Sequence, residues 1–206
     1  MTDEAPKLVG EADLDHDVAG FDFSWADQSV RNLINELVGL EAVSIDNSKT
    51  GDHWNFKPHP LSRFGYLVNA VLLHTQTNYM GQPTSLLEVG CGVGTKLVMV
   101  DKVFGLDSDG FDINPEYVAS ARALIRQYDS AASAVVNDAL LFNGYGSYDI
   151  VFHNRPIWVY DVAMALEAQV TEHMSSGAYL ILGNSPSKLD WPIIATDTAM
   201  AVYQKP

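Results

Sequence analysis

From Thr84 to Gln204 the chain alternates short apolar runs with stretches in which apolar residues recur every three or four positions. Runs of the first kind predict strands at Ser85–Val89, Leu106–Asp112, Ala134–Asn137, Asp149–His153 and Ala178–Leu182, with a closing pair at Pro192–Ala195 and Ala199–Gln204. Stretches of the second kind predict helices at Thr95–Phe104, Pro115–Tyr128 and Trp158–Met174. Strands alternating with helices bury both faces of a parallel sheet, so the expected fold class is α/β, doubly wound, with a mostly parallel seven-stranded sheet. The closing pair, joined through Thr196-Asp197-Thr198, predicts an antiparallel hairpin at one edge.

The pattern before Thr84 is different. Val30, Leu33, Ile34, Leu37 and Val38 share one helical face, with Gly39 where a C-terminal cap is expected. Residues 46–60 mix turn formers with aromatics and predict a loop. Helical spacing returns in Phe64, Leu67, Val68, Val71 and Leu72, with Ser62 as the expected cap, and ends before Gly81 and Pro83. Residues 1–23 are acidic and aperiodic, which predicts a mobile arm. The expected organisation is therefore an arm (1–23), a helical N-terminal cap (24–83) and a main domain (84–206).

Composition narrows the function classes. With 206 residues, 47% hydrophobic and 18% charged, the chain can bury one sizeable core. Its formal charge of −14 is uneven, because eight acids against Lys7 give residues 1–30 a net −7. No basic stripe remains to track a phosphate backbone, so nucleic acid is disfavoured as a partner and a small-molecule substrate is expected. Cys91 is the only cysteine, which excludes an intrachain disulfide and a cysteine-built zinc cluster; no metal is expected. The N-terminus lacks a secretory signal pattern and no run suits a membrane span, so a cytoplasmic protein is expected. The sequence leaves oligomeric state open.

The strongest chemical signal is Leu86-Leu87-Glu88-Val89-Gly90-Cys91-Gly92-Val93-Gly94-Thr95, an apolar strand entering a glycine-rich turn and then a helix. Such a turn lets a ligand approach the backbone without an intervening side chain, beside helix N–H groups that favour polar ligand atoms. Dinucleotide enzymes place Gly or Ala where this chain has Thr95, which disfavours a nicotinamide oxidoreductase. The next strand ends in Gly110-Phe111-Asp112-Ile113-Asn114-Pro115, about twenty residues past the first glycine, where a carboxylate suits two ribose hydroxyls. The alternative for Asp112 is an N-cap to the helix at Pro115.

The string Glu88-x-Gly90-x-Gly92-x-Gly94, with Asp112 beyond it, resembles the first two motifs of the Rossmann-like, class I S-adenosylmethionine-dependent methyltransferases. The resemblance spans residues 84–206 and implies S-adenosyl-L-methionine as cofactor. It implies that Glu88 supports the turn and the amino-acid end of the cofactor, with Gly90, Cys91, Gly92 and Gly94 forming the turn. Asp112 would hold the ribose and Ile113 lie against the adenine. Asp138, followed by Ala139, matches the place where family members bond the adenine amino group. From the cap, which in the family closes over the cofactor, Arg63 is a candidate for the cofactor carboxylate, and the loop of Trp54, Phe56 and His59 for the substrate pocket.

On the acceptor side, the fourth strand ends in His153-Asn154-Arg155-Pro156-Ile157-Trp158. Ligands of parallel sheets sit beyond the carboxyl ends of the strands, which makes His153 and Asn154 candidates for positioning the acceptor, flanked by Pro156 and Trp158. The segment is similar to the Asn/Asp-Pro-Pro-aromatic motif of amino-methylating members, but Arg155 replaces the first proline and Ile157 the aromatic. Three functions follow as expectations. The first is a methyltransferase for a small acceptor, since in-line methyl transfer needs positioning more than a nucleophile or metal. The others are a non-catalytic cofactor-binding scaffold or regulatory subunit, and an N-methyltransferase of a nucleobase or protein amide.

Overall fold

The structure is a computed structural model that describes residues 28–44, 49–50, 53–54, 60–183, 189–197 and 200–206. The arm expected at 1–23, with Phe56 and His59 of the loop, lies outside the described residues. Seven strands form one sheet: β1 (Ser85–Val89), β2 (Asp107–Asp112), β3 (Ser133–Val136), β4 (Ile150–His153), β5 (Tyr179–Gly183), β6 (Ile193–Asp197) and β7 (Met200–Gln204). Their spatial order is β3-β2-β1-β4-β5-β7-β6. The first five are parallel, whereas β7 runs antiparallel to both β5 and β6. The order reverses at β1, so β1 and β4 sit side by side, with Val89 opposite His153.

Strand alternation divides the apolar residues between two layers. Leu86, Ile150, Phe152, Tyr179 and Ile181 face one side; Leu87, Val89, Val151, Leu180 and Leu182 face the other. The first side is covered by α1 (Gln28–Ser44), α2 (Leu61–Thr77), α3 (Thr95–Met99) and α4 (Pro115–Gln127). The second is covered by α5 (Tyr160–His173) through Ala163, Leu166 and Val170.

Residues of the stretch expected to cap the domain supply part of the first layer. Ile34 and Leu37 of α1 and Phe64, Leu67, Val68 and Val71 of α2 share one core with the sheet, and the rings of Phe64 and Phe152 meet edge to face at 4.8 Å. Gly39 does not end α1, which continues to Ser44. Ser62 does not cap α2 either: the helix begins at Leu61 after Pro60, and Ser62 is buried in its first turn. Within the loop expected at 46–60, Lys49–Thr50 pairs antiparallel with His53–Trp54.

Candidate active site

The chain leaves β1 through a turn in which Gly90, Gly92 and Gly94 all have positive φ, at 78°, 51° and 81°. Two of them also admit close neighbours. A Cβ on Gly90 would stand 2.9 Å from Cβ of Pro156, and one on Gly94 would stand 2.8 Å from Cβ of Ala121 on α4. Glycine at these sites lets the segment after β4 and helix α4 close onto the turn. The turn is anchored to β2, since the N–H groups of Gly90 and Cys91 both donate to the Phe111 carbonyl at 2.9 Å.

Asp112 fastens the same two elements. Its Oδ2 accepts from Gly92 N–H at 3.0 Å and its Oδ1 from Asn114 N–H at 2.9 Å. Capping of α4 falls to Asn114, whose Oδ1 accepts from Glu116 N–H at 2.9 Å, with Pro115 at the first helical position. Asp112 is thus relieved of the capping role and stands at the end of β2 beside the glycine turn. Ile113 follows it with 43% of its surface exposed. Asn137 N–H donates to the Asp112 carbonyl, which brings the segment after β3 alongside. There Asp138 Oδ1 accepts from Leu140 N–H at 2.9 Å, and the Ala139 carbonyl accepts from the buried Tyr145 hydroxyl at 3.0 Å.

Glu88, next to last in β1, is buried, and its Oε2 has no hydrogen-bond partner among the described residues. Burial pushes its carboxyl up to about 8; Lys96 opposes the rise, while Glu41 and Asp112 add to it. Cys91 packs toward β2, its Cβ lying 2.7 Å from the place a Cβ on Gly110 would take. Burial raises its thiol well above the usual range, leaving it inert, so only its backbone belongs to the turn.

Beyond β4, the Asn154 side chain lies against Gly183 at the end of β5, and Pro156 lies against Gly90. Arg155 between them takes φ of 39° and its Nη2 donates to the Trp158 carbonyl at 3.4 Å. Trp158 precedes α5 rather than starting it and is partly exposed. His153 is 1% exposed, and neither ring nitrogen has a hydrogen-bond partner among the described residues. Burial pushes its imidazole down to about 4, so it is neutral near pH 7 and offers one donor and one acceptor.

Arg63 stands in the first turn of α2. Its Nε lies 3.7 Å from Asp197 Oδ2 at the end of β6, with β7, β5 and β4 between that strand and β1. This ion pair ties the first turn of α2 to the sheet's outer strand.

Two residues near the turn escaped the sequence reading. Lys96 is buried and donates to Glu41 Oε1 at 2.8 Å, and the Thr95 hydroxyl donates to the same oxygen at 2.5 Å. The available signal was local composition: Glu41 is the one charge between Val38 and Val43, and Lys96 is followed by Leu97-Val98-Met99-Val100.

No protein-family model matches the chain, and no curated protein matches its sequence. Solved structures do match its fold. An RNA methyltransferase from Salinibacter ruber in complex with S-adenosyl-L-homocysteine aligns with TM-score 0.54 and 17% identity over 72% of this chain and 91% of its own. The fold is that of the class I S-adenosylmethionine-dependent methyltransferases. The plantazolicin methyltransferase, also in complex with SAH, aligns with TM-score 0.50 and 19% identity over 77% of this chain. This chain spans about half of that enzyme, 54% of its length. The methyltransferase fold puts the glycine turn, Asp112 and the segment after β4 at the same end of the sheet, beyond the carboxyl ends of β1, β2 and β4.

Proposed function

We propose that the chain is an S-adenosylmethionine-dependent methyltransferase acting on a small-molecule acceptor. The observation that carries this reading is the bond from Gly92 N–H to Asp112 Oδ2, which joins the glycine turn and the strand-end carboxylate at one end of the sheet. The chemistry of the residues gathered there suits the cofactor. Asp112 is an acceptor for the ribose, the exposed Ile113 is an apolar wall for the adenine, and Asp138 with Ala139 borders its amino edge. The buried, unpartnered Glu88 oxygen suits the cationic amino group of the amino-acid end.

Bound cofactor supplies a methyl group activated on a sulfonium. The protein's part is to orient donor and acceptor in line, which accounts for much of the barrier in such displacements. In this reading His153 and Asn154 position the acceptor, while Pro156 and Trp158 flank it. A neutral imidazole with two unpartnered nitrogens orients an acceptor by hydrogen bonds, and a group held near 4 is a poor proton acceptor at pH 7. The small-molecule class is favoured over nucleic acid by the chain's −14 charge.

The test has two stages. S-adenosylhomocysteine at 100 times its dissociation constant adds about 2.7 kcal/mol and should raise Tm by roughly 5–10 °C. No shift and no binding heat at millimolar ligand would remove the cofactor. Incubation with S-adenosylmethionine and pools of small metabolites should then give a product heavier by one methyl group. Cofactor binding with no methyl incorporated into any pool, protein or RNA would replace the enzyme with a non-catalytic binding subunit.

A further inference from the structure

Between the glycine turn and α1 lies a buried set of charges. Lys96 and Thr95 begin α3, and both donate to Glu41 Oε1, which α1 carries in. Glu88 extends from β1 toward the same sheet face as Leu86, and so toward the layer that holds α1 and α3. Lys96 therefore has two buried carboxyl groups in its surroundings and is hydrogen-bonded to Glu41. Burial works against its ammonium, yet Glu41 first and Glu88 second hold its titration above the usual range. The groups that act on Glu88 come from three other elements: Lys96 on α3, Glu41 on α1 and Asp112 on β2. The Cys91 thiol stands close by and stays uncharged.

We infer that Glu41 is a positioning residue for the cofactor: by engaging Lys96 and Thr95 it keeps the lysine off Glu88, leaving that carboxyl to the ligand's amino group. This rests on the cofactor reading above. With Glu88 held up to about 8, the free protein keeps it protonated at pH 7. An arriving ammonium favours the carboxylate, so binding expels a proton from Glu88 to solvent, and affinity rises with pH until Glu88 is ionised beforehand. Glu41 sets where that rise occurs. Without its negative charge, Lys96 is released toward Glu88 and ionises it in the free protein.

The experiment is calorimetric titration of the full chain with S-adenosylhomocysteine from pH 6 to 8.5, in buffers of differing ionisation heat. For the unaltered protein, affinity should climb by up to about tenfold per pH unit below pH 8, with close to one proton released at pH 7. Glu41→Gln should flatten the climb and reduce the proton count, whereas Lys96→Met should carry the climb to higher pH. A purely structural role would weaken both variants without moving their profiles in opposite directions. Methylthioadenosine, which lacks the amino-acid end, should bind with no proton release. If a single variant fails to fold, Glu41→Gln with Lys96→Met leaves no formal charge at those two positions and suits burial. Its climb should begin above that of the unaltered protein, because Lys96 acts on Glu88 more strongly than Glu41 does. An affinity independent of pH, an unchanged profile in Glu41→Gln, or a double variant whose climb begins lower would each overturn the inference. Binding to no form at any pH would instead overturn the cofactor reading.

Discussion

Asp112 combines two tasks in one side chain, since the carboxylate that would receive a ribose also holds the glycine turn by Gly92 N–H and the approach to α4 by Asn114 N–H. Hydrogen bonds to a charged acceptor are worth about 1.5–3 kcal/mol, so Asp112→Ala should weaken S-adenosylhomocysteine binding by roughly ten- to a hundredfold, measured by calorimetry. An affinity within twofold of the unaltered protein would confine Asp112 to holding the turn. Asn154 tests the other half of the proposed site. Its side chain rests on Gly183 rather than on the glycine turn, so Asn154→Ala should lower methyl transfer at least tenfold while S-adenosylhomocysteine affinity stays within about threefold. Full turnover in that variant would refute its placement beside the acceptor. Which of these residues could be read from sequence follows from the range of their contacts. Gly90, Gly92 and Gly94 were legible because a tight turn demands glycine locally, and Asp112 because a strand end can be counted. Glu41 was missed because Thr95 and Lys96 lie more than fifty residues away.

Elements obey the same distinction between local and distant causes. The strands of the main sheet were legible from alternation, and their ends moved by one or two residues because ladder pairing, rather than pattern, decides where a strand stops. β2 shows how far pairing can override propensity. Asp107-Ser108-Asp109-Gly110-Phe111-Asp112 is poor strand sequence, yet it is paired with β1 and β3 on its two sides, and Asp109 accepts from the hydroxyls of Tyr148 and Ser133. The segment after β4 was the least legible, since its path depends on Gly90 and Gly183, each distant in sequence. Asp149 governs how β1 and β4 begin. Its Oδ2 accepts from the N–H and hydroxyl of Thr84 at 2.8 and 3.0 Å, and from those of Ser85 at 3.2 Å each. Burial alone would raise its titration, but these bonds outweigh burial and hold it below the ordinary value of 3.8. A carboxylate depressed in the folded state stabilises above its unfolded value and loses that contribution as pH falls through the folded one. Asp149→Asn should therefore lower Tm at pH 7, and the gap from the unaltered protein should close progressively below about pH 4. A gap that is the same at pH 3 and pH 7 would mean that the charge contributes nothing.

Across the whole molecule, the glycine turn is enclosed by α1, α3 and α4 on one face and by the segment leading into α5 on the other. Residues 28–44 are thus part of what encloses the turn, and substitutions in α1 can change its surroundings without touching it. No helix among the described residues is long and apolar enough to cross a membrane. The hairpin has a consequence for how the protein opens. β7 lies between β5 and β6, so β6 has β7 as its one neighbour in the sheet and otherwise leans on α2. β1 and β4, by contrast, are flanked by strands on both sides. When β7 parts from β5, β6 leaves with it, and the two come away as one cooperative unit at less cost than opening the centre. Native-state hydrogen exchange should therefore give the amides bonded between β5 and β7 and those between β6 and β7 a shared opening free energy, below that of the β1–β4 ladder. Protection in the hairpin equal to that of β1 and β4 would contradict this order. The sheet would then open first at the β6–β7 edge while the carboxyl ends of β1, β2 and β4 stay in register, so that edge can breathe without disturbing the glycine turn or Asp112.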